Sequence, residues 1–132
     1  MDLQLKANFK SDEIAILRLF DRSIKSEFRE LFREQMATVK SLGREHKNSS
    51  VNMYSRKFWK ITRVGGGAFP ELPEEYLAGK FTKKNAKPYM TAELWFVHGR
   101  PFSVEFSGNI DSQCALEWEV EISDYFREDT RG

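Results

Sequence analysis

The sequence predicts an α+β domain in which two N-terminal helices pack on a mainly antiparallel sheet of five or six strands. Two periodicities predict it: apolar side chains recur at helical spacing between residues 11 and 36, and they alternate with polar ones in the strands predicted after residue 101. Between these regions, Gly65 to Pro73 holds three glycines and two prolines, a composition that sustains neither helix nor strand pairing. Helices therefore come first along the chain, and most of the sheet follows.

The size and composition of the chain predict one domain over residues 1–132. It is 40% hydrophobic and contains three Trp, four Tyr and eleven Phe, enough to bury about two-thirds of its unfolded surface without disulfides or metal. Cys114 is the only cysteine, and the N-terminal residues hold no apolar run of signal or membrane-spanning length. We therefore expect a soluble cytoplasmic domain with no membrane contact and no cofactor. Residues 124–132 are expected to form a loosely ordered tail, whose Tyr125 and Phe126 dock its first turn.

The N-terminal third predicts the helices. Alternation between Leu3 and Phe9 indicates a short strand, and Ser11, followed by two acidic residues, is a favourable N-cap. A short helix is expected to run to about Phe20 and a second to begin at about Ile24, with a single kinked helix as the alternative. The apolar stripe of the second helix comprises Ile24, Phe28, Leu31, Phe32 and Met36.

The middle of the chain predicts strands and loops. Residues 37–42 alternate and indicate a strand that ends at Gly43, and Val51 to Val64 is rich in aromatic and β-branched residues, indicating one long or bulged strand. The loop from Gly65 to Pro73 is expected to be a flexible connection. Glu74 to Phe81 is ambiguous between a helical turn and a strand, and Lys83 to Lys87 is loop-like.

The segment from Thr91 to Gly108 predicts a β-hairpin at the centre of the sheet. Its turn is expected at His98 to Arg100, because Gly99 accepts positive φ and Pro101 suits the first residue of a strand.

The register of this hairpin stays open. A three-residue loop pairs Leu94 with Val104, whereas an even loop pairs Val97 with Phe102. The choice decides whether Trp95 is in the core or on the surface.

The clearest single strand follows, where four apolar residues alternate with three glutamates. The apolar residues are Leu116, Trp118, Val120 and Ile122, and the glutamates are Glu117, Glu119 and Glu121. The glutamates share one face, which is complementary to a basic partner.

Charge is unevenly distributed although the net charge is +1. Residues 40–90 hold eleven basic and four acidic side chains, and residues 91–132 hold three basic and nine acidic ones. Either the molecule has a basic and an acidic surface, or the two segments are neighbours in one sheet and neutralise each other.

A basic and aromatic segment raises the possibility of single-stranded nucleic-acid binding, since bases stack on rings beside cations. It comprises Arg56, Lys57, Phe58, Trp59, Lys60 and Arg63. If Phe58 and Trp59 are adjacent strand residues, only one of them can face a ligand.

Enzyme chemistry has few candidates. His98 is at the predicted turn with Arg100, and Cys114 precedes the last strand, but their spacing matches no nucleophile–base pair. His46 and His98 lie on separate loops without the clustered ligands that a metal requires, so we predict no catalytic or metal-binding residues.

Three segments, SDEIAILRLF, EFRELFREQMATV and LWFVHGRPFSVEF, together resemble a group of small bacterial proteins with N-terminal helices and a C-terminal V-x-G-R hairpin. The resemblance implies helices followed by sheet, and it implies no activity. The segment LPEEYLAGKF is similar to part of a broad superfamily of immunity proteins, but the glycine and tryptophan context expected there is missing.

The sequence thus favours a non-enzymatic protein-interaction domain, with an immunity-like role as one form. Nucleic-acid binding and a small enzyme with a site near His98 are the alternatives. The sequence leaves the partner's identity and the oligomeric state open. The candidate binding residues are Glu117, Glu119, Glu121, Arg56, Lys57, Trp59, Lys60, His98 and Arg100.

Overall fold

The computed structural model describes residues 3–45, 49–57, 60–83, 90–107 and 118–128, except for the side chains of residues 56 and 57. These residues form two helices followed by seven strands. The helices are α1 (Ser11–Ser23) and α2 (Ser26–Ala37). The strands are β1 (Ser41–Glu45), β2 (Ser50–Lys57), β3 (Lys60–Thr62), β4 (Glu75–Lys83), β5 (Thr91–Val97), β6 (Arg100–Ser107) and β7 (Trp118–Ile122).

Six of the strands form the main sheet in the order β1-β2-β6-β5-β4-β7, and β3 pairs with the far end of β2. Every pairing is antiparallel. The predicted α+β fold is therefore confirmed, and β5 lies inside the sheet as expected. Among the described residues, no helix combines the length and apolar character needed to cross a membrane.

Two separate helices are present, because Ile24 adopts an extended conformation between them and bridges to Arg127. The N-cap of α1 is Lys10 instead of Ser11, and the Lys10 backbone N–H donates to Glu13 Oε1 over 2.7 Å. The strand expected between residues 3 and 9 is wrong: this segment is irregular. Its alternation instead places Leu3 and Phe9 in the core.

The core between the helices and the sheet is built from aromatic rings. Phe126 is fully buried, with its ring centroid 5.3 Å from that of Phe20 on α1 and 5.0 Å from that of Phe96 on β5. Phe126 belongs to the segment predicted to be a loose tail; of that segment, residues 124–128 are described and residues 129–132 are not. The end of the described chain is thus held under the helices by this ring.

Three acidic side chains of α1 are paired with cations from other elements. The pairs are Asp21 with Arg33 of α2, Glu13 with Arg44 of β1, and Asp12 with Lys83 of β4. The hydrogen bonds that the Arg44 guanidinium donates to the Glu13 carboxylate raise the pKa of Arg44. Since Asp21 and Glu13 are buried, losing either cation would leave a desolvated carboxylate. The pair with Arg33 therefore joins α1 to α2, and the pairs with Arg44 and Lys83 hold α1 over the sheet.

The middle of the chain differs most from expectation. The single strand predicted from Val51 to Val64 is instead a hairpin of β2 and β3, in which Lys57 pairs with Lys60. The strand expected over residues 37–42 begins later, and Gly43 lies inside β1. The ambiguous segment from Glu74 is a strand. Most of the loop expected after Lys83 lies outside the described residues.

The loop from Gly65 to Pro73, which we call the glycine-rich loop, is irregular as predicted, but hydrogen bonds hold it at several points. The buried Gln35 Nε2 donates to the carbonyl oxygens of Gly67 (2.6 Å) and Gly99 (3.0 Å). Thr38 Oγ1 accepts from the backbone N–H of Gly65 at 2.8 Å. The loop therefore joins α2 to the β5–β6 turn, and the expected flexible connection is not supported.

A candidate interaction face on the sheet

Among the described elements, α1 and α2 cover one face of the sheet, and no helix or strand lies over the other, which we call the open face. On β5, Ala92, Leu94 and Phe96 are buried toward the helices, while the residues between them point the other way. Trp95 is one of these and is half-buried on the open face.

The register of the β5–β6 hairpin explains this placement of Trp95. The turn consists of His98 and Gly99, with φ of 51° and 76°. Such a two-residue turn would pair Val97 with Arg100, as observed, but a bulge at Phe102 then shifts the ladder by one residue. The result is the Leu94–Val104 pairing expected for an odd loop. One extra residue therefore decides which side of the sheet Trp95 occupies.

A line of paired residues crosses all six strands of the main sheet on the open face, and we call it the acidic row. From edge to edge it comprises Glu45, Ser50, Glu105, Glu93, Lys80 and Glu121. Glu93 lies directly opposite Glu105, an arrangement that is unfavourable for like charges. Within the described chain, Glu93, Glu105 and Glu121 form no salt bridge.

A second line of paired residues, the tryptophan row, runs beside the acidic row and closer to the β5–β6 turn. It comprises Gly43, Asn52, Ser103, Trp95 and Leu77. Trp95 Nε1 is shielded from solvent and has no hydrogen-bond partner. Tyr54 and Phe102 stand edge to face with ring centroids 5.8 Å apart. This half of the open face therefore combines partly buried aromatic and leucine side chains with the buried polar residues Asn52 and Ser103.

A second bulge, in β4 between Leu77 and Gly79, aligns the two rows. It places Leu77 and Lys80 on the same side of the sheet although they are three residues apart, a spacing that simple alternation forbids. Without this bulge, either the cation of the acidic row or the leucine of the tryptophan row would face the helices.

A shallow groove of about 460 Å³ lies over the part of the open face formed by β4, β5 and β7, which we call the acidic end. Its lining includes Lys80, Thr82, Thr91, Glu93, Glu119 and Glu121. Of the three glutamates that the sequence indicated, Glu119 and Glu121 are exposed here on β7, and Glu117 lies outside the described residues. On the opposite side of β7, Trp118 and Ile122 are buried and Val120 packs against the core, as predicted, whereas Leu116 is not described.

The basic segment lies on the β2–β3 hairpin, away from the acidic end. Arg56 and Lys57 are in β2, and Lys60 is exposed in β3, where Ile61 is also 59% exposed. Trp59 lies outside the described residues. Phe58 also lies outside the described residues, so the prediction that Phe58 and Trp59 are adjacent strand residues is not tested.

The turn residues do not join the glutamates. His98 is exposed, with Nε2 3.6 Å from the exposed Glu74 Oε1, which is an ordinary surface contact. Arg100 donates from Nε and Nη2 to the carbonyl oxygen of Gly66 at 3.0 and 2.8 Å, so its guanidinium holds the glycine-rich loop. Cys114, considered earlier as a partner of His98, lies outside the described residues.

The described residues contain no group of three or more His, Cys, Asp or Glu arranged to hold a metal ion. No protein-family model, curated protein or solved structure matches the chain.

Proposed function

We propose that this protein is a non-enzymatic binding domain that receives a positively charged protein partner on the open face of its sheet. The opposition of Glu93 and Glu105 in the middle of the acidic row carries the proposal. Two carboxylates across neighbouring strands repel each other, and a cation placed between them removes that cost.

The length of the acidic row favours a polypeptide partner over a single ion. Neighbouring strands lie about 4.8 Å apart, so the row from Glu45 to Glu121 extends about 24 Å across the six strands. Only a chain bearing several cations can contact carboxylates over that distance. Neutralising a basic protein, as an immunity protein does, is one role that such a face would serve.

The test compares variants in capture from the native lysate. The double variant Glu93→Lys, Glu105→Lys reverses the charge at the centre of the acidic row. The control is the double variant Glu30→Lys, Glu34→Lys, which makes the same charge change on the exposed side of α2. We expect a discrete protein, eluted by salt, to be retained by the wild type and the α2 variant and lost by the open-face variant. Equal retention by all three proteins, or no retained protein, would contradict the proposal.

Nucleic-acid binding remains a second candidate, because Lys57 lies directly opposite Lys60 in the β2–β3 hairpin and such a pair favours an anion. It predicts binding to a single-stranded oligonucleotide that weakens with salt and is lost when Arg56, Lys57 and Lys60 are replaced by Ala. Binding that is insensitive to these replacements would exclude it.

A further inference from the structure

We infer that the occupant of the open face is an amphipathic helix, with a stripe of Lys or Arg beside an apolar stripe, lying across the strands. This inference rests on the proposed function and specifies the partner. The acidic row would receive the cations and the tryptophan row the apolar side chains.

The dimensions of the two rows match one helix. Corresponding residues of the rows, such as Glu93 and Trp95, are two positions apart on a strand, or about 6.6 Å, and a helix with its side chains is about 10–12 Å wide. A helix laid along the rows therefore contacts both of them.

The spacing of the carboxylates along the acidic row also matches a helix. Glu105 and Glu93 are one strand apart, about 4.8 Å, and Glu45 and Glu105 are two strands apart, about 9.6 Å. Helix residues at i and i+3 are about 4.5 Å apart along the axis, and those at i and i+7 about 10.5 Å. Cations at i, i+7 and i+10 on one helix face thus meet Glu45, Glu105 and Glu93 in turn.

The tryptophan row distinguishes this partner from a simple polycation. Trp95 is half-buried and lies beside Leu77, with the Tyr54–Phe102 pair nearby, so this half of the face offers apolar contact area. The same sheet already binds helices on its other face, where α1 and α2 cover Phe96. A third helix on the open face would cover the sheet on both sides.

The probe is a synthetic helix of about 18 residues with Lys and Leu in adjacent stripes, compared with an isomer in which the same residues are distributed evenly around the helix. We expect the striped peptide to bind at least about tenfold more tightly than the even isomer. The double variant Glu93→Gln, Glu105→Gln should lower the affinity for the striped peptide at least about tenfold. In nuclear magnetic resonance spectra, the signal of the Trp95 indole N–H is identified by its absence from the spectrum of Trp95→Phe. This signal should shift when the striped peptide binds. Equal affinity for the two isomers, or an unmoved Trp95 signal, would overturn the inference.

Two further outcomes separate this inference from the proposed function. If the lysate partner depends on Glu93 and Glu105 while the striped peptide does not bind, the helix is wrong and the binding domain stands. If the protein alone forms a salt-sensitive dimer that Glu93→Lys dissociates, the open face belongs to a second copy of the chain and the helix is again wrong.

Discussion

Replacing Glu105 should stabilise the domain, although Glu105 is central to the surface proposed to bind a partner. Glu105 is exposed on β6 and lies directly opposite Glu93 on β5. Two unit charges about 5 Å apart in water repel by about 0.8 kcal/mol, and cross-strand pairs contribute about 0.2–1 kcal/mol. Glu105→Gln removes the repulsion and should raise the free energy of unfolding by about 0.5 kcal/mol. Glu105→Lys replaces it with attraction and should raise it by about 1–1.5 kcal/mol.

Urea unfolding at neutral pH measures these changes, and salt dependence identifies their cause. The gain should shrink when the salt concentration rises from about 0.01 M to about 1 M, because the screening length falls from about 30 Å to about 3 Å. Glu75→Gln is the matched control: it makes the same charge change on β4 of the same sheet, but Glu75 lies opposite Val97. Its stability should change by less than about 0.3 kcal/mol.

The reasoning fails if both Glu105 variants are as stable as Glu75→Gln, or less stable, at low salt. The Glu93–Glu105 pair would then carry no repulsion, and the electrostatic support for the proposed function would be lost. A gain in stability that persists at high salt would point to a change in strand propensity instead of charge.

Three further changes test the packing that holds the sheet under the helices, each by urea unfolding. Gly99→Ala should lower the free energy of unfolding by about 2–4 kcal/mol, because φ is 76° and a Cβ there would lie 2.5 Å from the Phe69 carbonyl oxygen. A smaller loss would mean that the glycine-rich loop can move away. Arg33→Met should cost about 3–5 kcal/mol by leaving the buried Asp21 unpaired, and Asp21→Asn in the same chain should recover part of it; no recovery would assign the loss to packing. Phe126→Ala should cost about 3–5 kcal/mol, whereas a near-neutral result would contradict a docked chain end.

The parts of the fold that the sequence predicted are those with strong local periodicity. The two helices, the β5–β6 hairpin and the strand at Trp118–Ile122 each follow one period over several residues, and the structure confirms them. The errors arose where the same composition suits two structures. Between Val51 and Val64, aromatic and β-branched residues fit one long strand as well as a hairpin, and only pairing between Lys57 and Lys60 distinguishes them.

The candidate surface was less predictable, because its residues come from six strands whose order in the sheet differs from their order along the chain. Glu119 and Glu121 were found from alternation within one strand, but Glu105 and Glu93 join them only through the strand order and register. The signal was present in part, since Glu105 occupies the polar position of an alternating strand. Bulges in β4 and β6 set the alignment, and their positions depend on tertiary packing.

The strand order also decides between the two interpretations of the uneven charge. The basic middle segment contributes β4, which lies between the acidic strands β5 and β7, so Lys80 pairs with both Glu93 and Glu121. Opposite charges are therefore neighbours at Lys80, although the described residues show no salt bridge there, and Glu105 has no such neighbour, since the residue on its other side across the ladder is Ser50. Nothing in the fold requires a carboxylate there, since Thr or Lys would suit an exposed strand position at least as well. If Glu105 weakens the sheet as predicted above, the partner that we propose for the open face would account for a carboxylate at this position.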